Sequence, residues 1–179
     1  MPTISPIALS ATDSNTSQTL IAVKSKIGMI PNLFLTLANS PAALHGYLRL
    51  SESLGSGFLN TRQREIVALV VAQENGCQYC LSAHTAISKG AGLSDAEILS
   101  ARFGTGAASK SNAIVSFSRK VVQKRGHLSA EDLEEVRRAG IDDGTVIEII
   151  ANVALNILTN YTNNLANTDV DFPLVEVEL

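Results

Sequence analysis

The chain has 179 residues, room for one domain with a substantial core, and 45% of them are apolar while only 4% are aromatic, with no Trp. A core of Leu, Ile, Val and Ala suits close-packed helices, because Ala lets helix axes approach and Leu fills the gaps. A net charge of −3 with no basic stripe argues against nucleic acid, no run of 18 apolar residues offers a membrane span, and the start Met1-Pro2-Thr3-Ile4-Ser5-Pro6 has neither a basic leader nor a long apolar stretch, which points to a cytoplasmic protein.

Residues 1–15 are rich in Ser, Thr and Pro and read as an irregular lead-in. A helix is predicted from Thr16 to Ile27, ended by Gly28, and Pro31 opens a short apolar segment over Asn32 to Ala38. Ser40-Pro41 starts a third helix, with Pro41 tolerated in the first turn; it carries Leu44, Tyr47, Leu48 and Leu54 until Gly55 and Gly57 stop it. Asn60 or Thr61 caps the next, which runs to about Asn75 with Gly76 as terminator. Another begins near Cys77 and ends at Gly90. Ser94-Asp95-Ala96-Glu97 is a capping box, in which serine and glutamate satisfy the first free amides of a further helix. Helices follow over Ser111 to Lys124, over Ala130 to Ala139 with Ser129 as cap, and over Asp143 to Asn167, where Val146, Ile149, Ile150, Val153, Ile157 and Leu158 are apolar. The tail, 168–179, contains Phe172-Pro173, is too short for a sheet, and is expected to lie extended on the domain or on a neighbouring subunit. With no strand–helix alternation and no repeat, the fold class is all-α, one domain over residues 1–179.

Only two cysteines occur, Cys77 and Cys80. A secreted disulfide scaffold would use more, spread along the chain, so this pair reads as catalytic or metal-binding in a reducing compartment. On a helix, Cys77 at 0°, Cys80 at about −60° and His84 at about −20° share one face, and Cys80 and His84 stand four residues apart, within hydrogen-bond reach. The first turn of a helix stabilises a thiolate, the reactive form. Glu65, on the preceding helix, shares a face with Ala68, Leu69 and Ala72; a carboxylate there needs a partner, and His84 or a cysteine is the nearest candidate across the bend at Gly76. Glu65 and His84 beside a thiol make a proton relay. The rival reading is zinc held by Cys77, Cys80, His84 and Glu65. Structural zinc clamps separated pairs, whereas here three ligands come from two turns of one helix, so no metal and no cofactor are expected.

The spacing Glu65, Cys77, Cys80, His84 resembles the redox-active branch of the AhpD-like alkylhydroperoxidases of the carboxymuconolactone decarboxylase family. So do Arg64 to Val70, Gly90 to Ser94, Ala151 to Asn156, Thr159 to Tyr161 and Asp171 to Pro173, a likeness spanning roughly residues 30 to 175. The resemblance implies an AhpD-like helical bundle with the cysteine pair at the N-terminus of a core helix, assembled into trimers or hexamers. It implies a peroxidase in which Cys80 attacks a peroxide and becomes a sulfenic acid, Cys77 condenses with it to a disulfide, His84 and Glu65 move protons, and a dithiol or lipoyl-bearing protein is the reductant. Helix-end electrostatics alone favour Cys77 as nucleophile, while the histidine four residues on favours Cys80. Two departures stand out: some members carry a histidine where this chain has Tyr79, which the helical spacing turns away from the reactive face, and many carry one where it has Asn164. Lactone decarboxylation, from a branch without the cysteine pair, and a non-enzymatic redox-sensing oligomer are the alternative functions.

Overall fold

Short polar side chains decide where most of the helices start. In the computed structural model, which describes residues 1–106 and 109–178, the elements are α1 (Ser14–Ile27), α2 (Asn32–Leu37), α3 (Pro41–Gly55), α4 (Thr61–Glu74), α5 (Gln78–Gly90), α6 (Asp95–Phe103), α7 (Ser109–Gln123), α8 (Ala130–Arg138) and α9 (Asp143–Ala166), with a 3-10 turn at Leu9–Ala11. No strand occurs among the described residues, so the all-α expectation holds. Asn60 caps α4 reciprocally with Gln63, and Ser94 and Ser129 do the same for α6 with Glu97 and α8 with Asp132. Asp13 caps α1 by accepting the Asn15 and Thr16 amides, which is why that helix starts before Thr16 and the lead-in is not irregular throughout.

Helix α4 is the axis of the domain. All seven residues from Ile66 to Ala72 are buried, the pattern of a helix covered on every side. One apolar cluster joins α4 to α6, α7, α8 and α9 through Leu69, Ile114, Val115, Val136 and Ile149. A second joins Ala72 to α1, α2, α3 and α5 through Leu20, Leu37, Leu44 and Leu81, and includes both cysteines. The cysteine pair therefore lies within this second core.

Helix α9 divides its apolar residues between two faces. Val146, Ile149 and Val153 are buried, but Ile150 and Leu158 face outward, with Ile147, Tyr161 and Leu165. Part of its buried face is polar instead: Asn152, Asn156, Thr159, Asn160 and Asn163 are all inside. Asn152 and Asn156 donate to carbonyls one turn back, which satisfies their amides without leaving the helix.

The tail lies on its own domain. Val175 N–H donates to Ser82 Oγ at 3.0 Å, and Gln73 and Arg102 hold the carbonyls of Val177 and Glu176 at 2.8 and 2.6 Å. The strap runs across α4 and α5 beside the cysteines.

Candidate active site

Gly76, at φ 59°, turns the chain out of α4 in a conformation that suits glycine, and Cys77 follows as the N-cap of α5. Cys77 is extended (φ −89°, ψ 95°), so it is not part of the helix, and its sulfur takes the capping role usual for Ser or Asp by accepting the Cys80 N–H at 3.3 Å. Cys80, in the first turn, is paired with it as a disulfide across a Cα–Cα distance of 5.3 Å. Both cysteines are almost wholly buried.

Glu65 and His84 come together as the sequence suggests. His84 Nδ1 lies 2.8 Å from Glu65 Oε2, with both side chains largely sheltered. A carboxylate at Nδ1 fixes the ring and leaves Nε2 as the nitrogen for other work. The sulfur of Cys80 does not take His84 as its hydrogen-bond partner among the described residues. Pairing with Cys77 draws it toward the helix end, while Glu65 holds the imidazole toward α4. Its donor is instead the Asn163 amide from α9, with Nδ2 at 3.3 Å. Sequence spacing could not reveal that contact, because the two residues are 83 positions apart.

His84 lines an apolar cleft of about 330 Å³ whose walls include Phe34, Tyr47, Tyr79, Ala83 and Phe172. Phe172, from the tail, meets Tyr79 edge-on with ring centroids 5.8 Å apart. Burial, and then the nearby Glu65 charge, push the Tyr47 hydroxyl up to about 12, so it stays protonated at neutral pH.

Tyr79 is fully engaged in structure. Its hydroxyl donates to Asp171 Oδ1 at 2.8 Å and accepts the Leu33 N–H at 3.3 Å, while Asp171 Oδ2 accepts the Asn32 N–H at 2.7 Å. One phenol thus ties α5, the start of α2 and the tail together, and burial raises its hydroxyl above the usual tyrosine value. Asn164 donates to the Asn75 carbonyl at 2.9 Å and pins α9 to the corner between α4 and α5. Among the described residues no three His, Cys, Asp or Glu side chains converge as a metal site, and no helix is long and apolar enough to cross a membrane.

No curated protein matches the chain at a significant level. Solved structures do. The alkylhydroperoxidase AhpD core of an uncharacterized peroxidase-related protein from Ralstonia eutropha JMP134 is 25% identical over 94% of this chain and 93% of its own, with a TM-score of 0.85. An uncharacterized peroxidase-related protein from Silicibacter sp. TM1040 is 22% identical, covers 93% of this chain and 92% of its own, and has a TM-score of 0.80. The debrominase Bmp8, as a cysteine-to-alanine variant in complex with 2,3,4-tribromopyrrole, is 18% identical over 94% of this chain and 91% of its own, with a TM-score of 0.79. The profile of the carboxymuconolactone decarboxylase family matches residues 41–124, the stretch that carries Glu65, both cysteines and His84. With that profile on its central helices, the chain is similar to the carboxymuconolactone decarboxylase family over residues 41–124, and over nearly its whole length it shares the fold of the AhpD-like, peroxidase-related structures.

Proposed function

We propose that this protein is a thiol-dependent peroxidase that reduces organic or hydrogen peroxides through a Cys77/Cys80 dithiol–disulfide cycle. The observation that carries the reading is the His84–Glu65 pair, 2.8 Å apart, one turn beyond a buried pair of cysteines and at the wall of an apolar cleft. In the cycle Cys80 loses its proton to His84 Nε2, and the thiolate attacks the distal oxygen of the peroxide. The O–O bond breaks, the sulfur keeps the OH as a sulfenic acid, and the departing alkoxide takes the proton from His84 and leaves as an alcohol. Cys77, deprotonated in turn by His84, attacks the Cys80 sulfur; hydroxide leaves and is protonated to water. Glu65 holds the imidazole and balances its charge while it carries the proton.

The disulfide must then be reduced. Both sulfurs are buried, so a slender dithiol, such as the arm of a lipoyl-bearing protein, suits the site better than a bulky thiol surface. A reducing, cytoplasmic setting is the one this cycle needs. Self-association fits the outer face of α9, where Ile147, Ile150, Leu158, Tyr161 and Leu165 are exposed on a helix with no charged residue after Glu148. A second copy of the same uncharged row is the occupant we propose.

The test is single-turnover reduction of hydrogen peroxide and an organic hydroperoxide by pre-reduced protein, with thiols and bound zinc counted before and after. Two thiols lost per peroxide, and loss of the fast step in Cys80→Ser, support the reading. Untouched peroxide with persistent thiols, or one zinc per chain masking them, removes it. Two parallel arms with a brominated pyrrole and a lactone separate dehalogenation and decarboxylation, since bromide release or lactone loss without peroxide turnover would replace the proposal.

A further inference from the structure

The two sulfurs have different hydrogen-bond donors, and the difference bears on which one attacks. Cys77 Sγ accepts the Cys80 amide at the helix end, a position that by itself lowers a thiol's pKa. Left to the helix, Cys77 would be the thiolate. Cys80 Sγ instead accepts the side-chain amide of Asn163 at 3.3 Å. Asn163 is 3% exposed, and its Oδ1 has no hydrogen-bond partner among the described residues. The contact to sulfur is thus the side chain's one hydrogen bond among the described residues. A buried carboxamide with one end unpaired is costly, so stability alone does not explain asparagine at this position.

We propose that Asn163 is a catalytic residue whose amide stabilises the Cys80 thiolate and so makes Cys80, not Cys77, the attacking sulfur. The proposal rests on the dithiol peroxidase reading and adds a group that lies outside the cysteine–histidine–glutamate motif. Before attack the amide N–H donates to the thiolate, a charge-assisted bond stronger than the same contact to a neutral thiol. Through that difference it lowers the pKa of Cys80. The other titratable groups in this part of the core are Cys77 at the N-cap of α5, His84 in the second turn of α5, Glu65 on α4, Tyr47 on α3, and Tyr79 on α5 with Asp171 on the tail. None comes from α9, whose inward side chains at this level are the amides of Asn160 and Asn163.

The test separates the two cysteines. In a Cys77→Ser background, alkylation of Cys80 by iodoacetamide is followed against pH, with Asn163→Ala and with Asn163→Asp, which keeps the side chain's size but removes the donor. Far-UV circular dichroism and thermal melting verify that the helices are retained. The expected result is a midpoint raised by about one pH unit in both variants, a tenfold loss of thiolate at neutral pH. In a Cys80→Ser background the same substitutions leave the Cys77 midpoint in place. A Cys80 midpoint that does not move, or equal shifts in both cysteines, overturns the proposal. Alkylation needs no peroxide. A protein that shows the shift yet ignores hydroperoxides therefore refutes the peroxidase reading alone, and one that reduces peroxide with an unmoved midpoint refutes the role of Asn163 alone.

Discussion

Replacing Tyr79 with Phe deletes one oxygen that three chain segments share and keeps the ring packed on Phe172. The lost bond to Asp171, at 2.8 Å, has an anionic acceptor and is of the kind that contributes about 1.5–3 kcal/mol. The Leu33 N–H, buried and donating to the same hydroxyl at 3.3 Å, is left unpaired, which costs about 1 kcal/mol or more. Asp171 keeps its second partner, the Asn32 N–H at 2.7 Å, so the strap is weakened and not released. The expected destabilisation is about 2–4 kcal/mol, and for a chain of this length it lowers the melting temperature by about 5–12 °C. Urea unfolding monitored by circular dichroism gives the free energy, and stopped-flow oxidation of the reduced protein gives the rate of the first chemical step. That rate should stay within about threefold of wild type, because the hydroxyl points at Asp171 and burial keeps it protonated. Tyr79→His, which installs the residue some relatives carry, should gain no rate for the same reason. A hundredfold loss of rate with unchanged stability would refute this account and make Tyr79 part of the chemistry.

Three other perturbations read separate parts of the fold. A Cβ on Gly57 would fall on the Glu148 carboxylate, which accepts the Phe58 and Leu59 amides at 2.6 and 2.8 Å; Gly57→Ala should cost about 2–3 kcal/mol in urea unfolding, and a neutral result would show that Glu148 can move aside freely. Asp132 is held well below the usual carboxylate range, first by the Lys120 side chain and then by Lys124, so its contribution is complete above the unfolded-state value near pH 4 and fades as pH falls toward the folded one. The stability gap between wild type and Asp132→Asn should be constant from about pH 5 to 8 and shrink in acid, and a gap equally wide at pH 3 contradicts this. Leu158→Glu combined with Leu165→Glu, two outward side chains of α9, should reduce the mass seen by light scattering while leaving the helical spectrum intact; an unchanged mass places any subunit contact elsewhere.

Much of the fold is legible because its signals are local. Ser94 and Glu97, or Ser129 before Ala130, announce a helix start through side chains within one turn of it, and the seven apolar residues of α4 announce a helix buried on all sides. The Glu65–His84 pair is legible for a related reason: two helices joined by a one-glycine bend must lie against each other, and a buried carboxylate needs a partner. Cys77 shows the limit of helical geometry at an end. Its angle on the wheel presumes helical backbone, and as N-cap it is extended, so its sulfur reaches back over the first turn to the Cys80 amide.

What sequence spacing could not show are roles that depend on which element arrives from far along the chain. Tyr79 reads as a lost histidine when set beside relatives, yet its hydroxyl closes a junction between α2, α5 and the tail that exists only after those segments meet. The asparagines of α9 make the same point more strongly. From Ile149 to Thr168 the chain carries no charged residue, although a helix with one solvated face normally displays charge. The inward row explains half of that, since Asn152, Asn156, Asn160 and Asn163 lie in the core and Asn163 meets the Cys80 sulfur. A charge at Asn163 would either bury an ion without a partner or repel a thiolate. The outward row of Ile147, Ile150, Leu158, Tyr161 and Leu165 accounts for the other half if a second subunit covers it. On this reading one helix, uncharged beyond Glu148, serves chemistry with one face and assembly with the other, and substitutions on the two faces should separate cleanly, those at Asn163 altering the thiol titration and those at Leu158 and Leu165 altering only the mass.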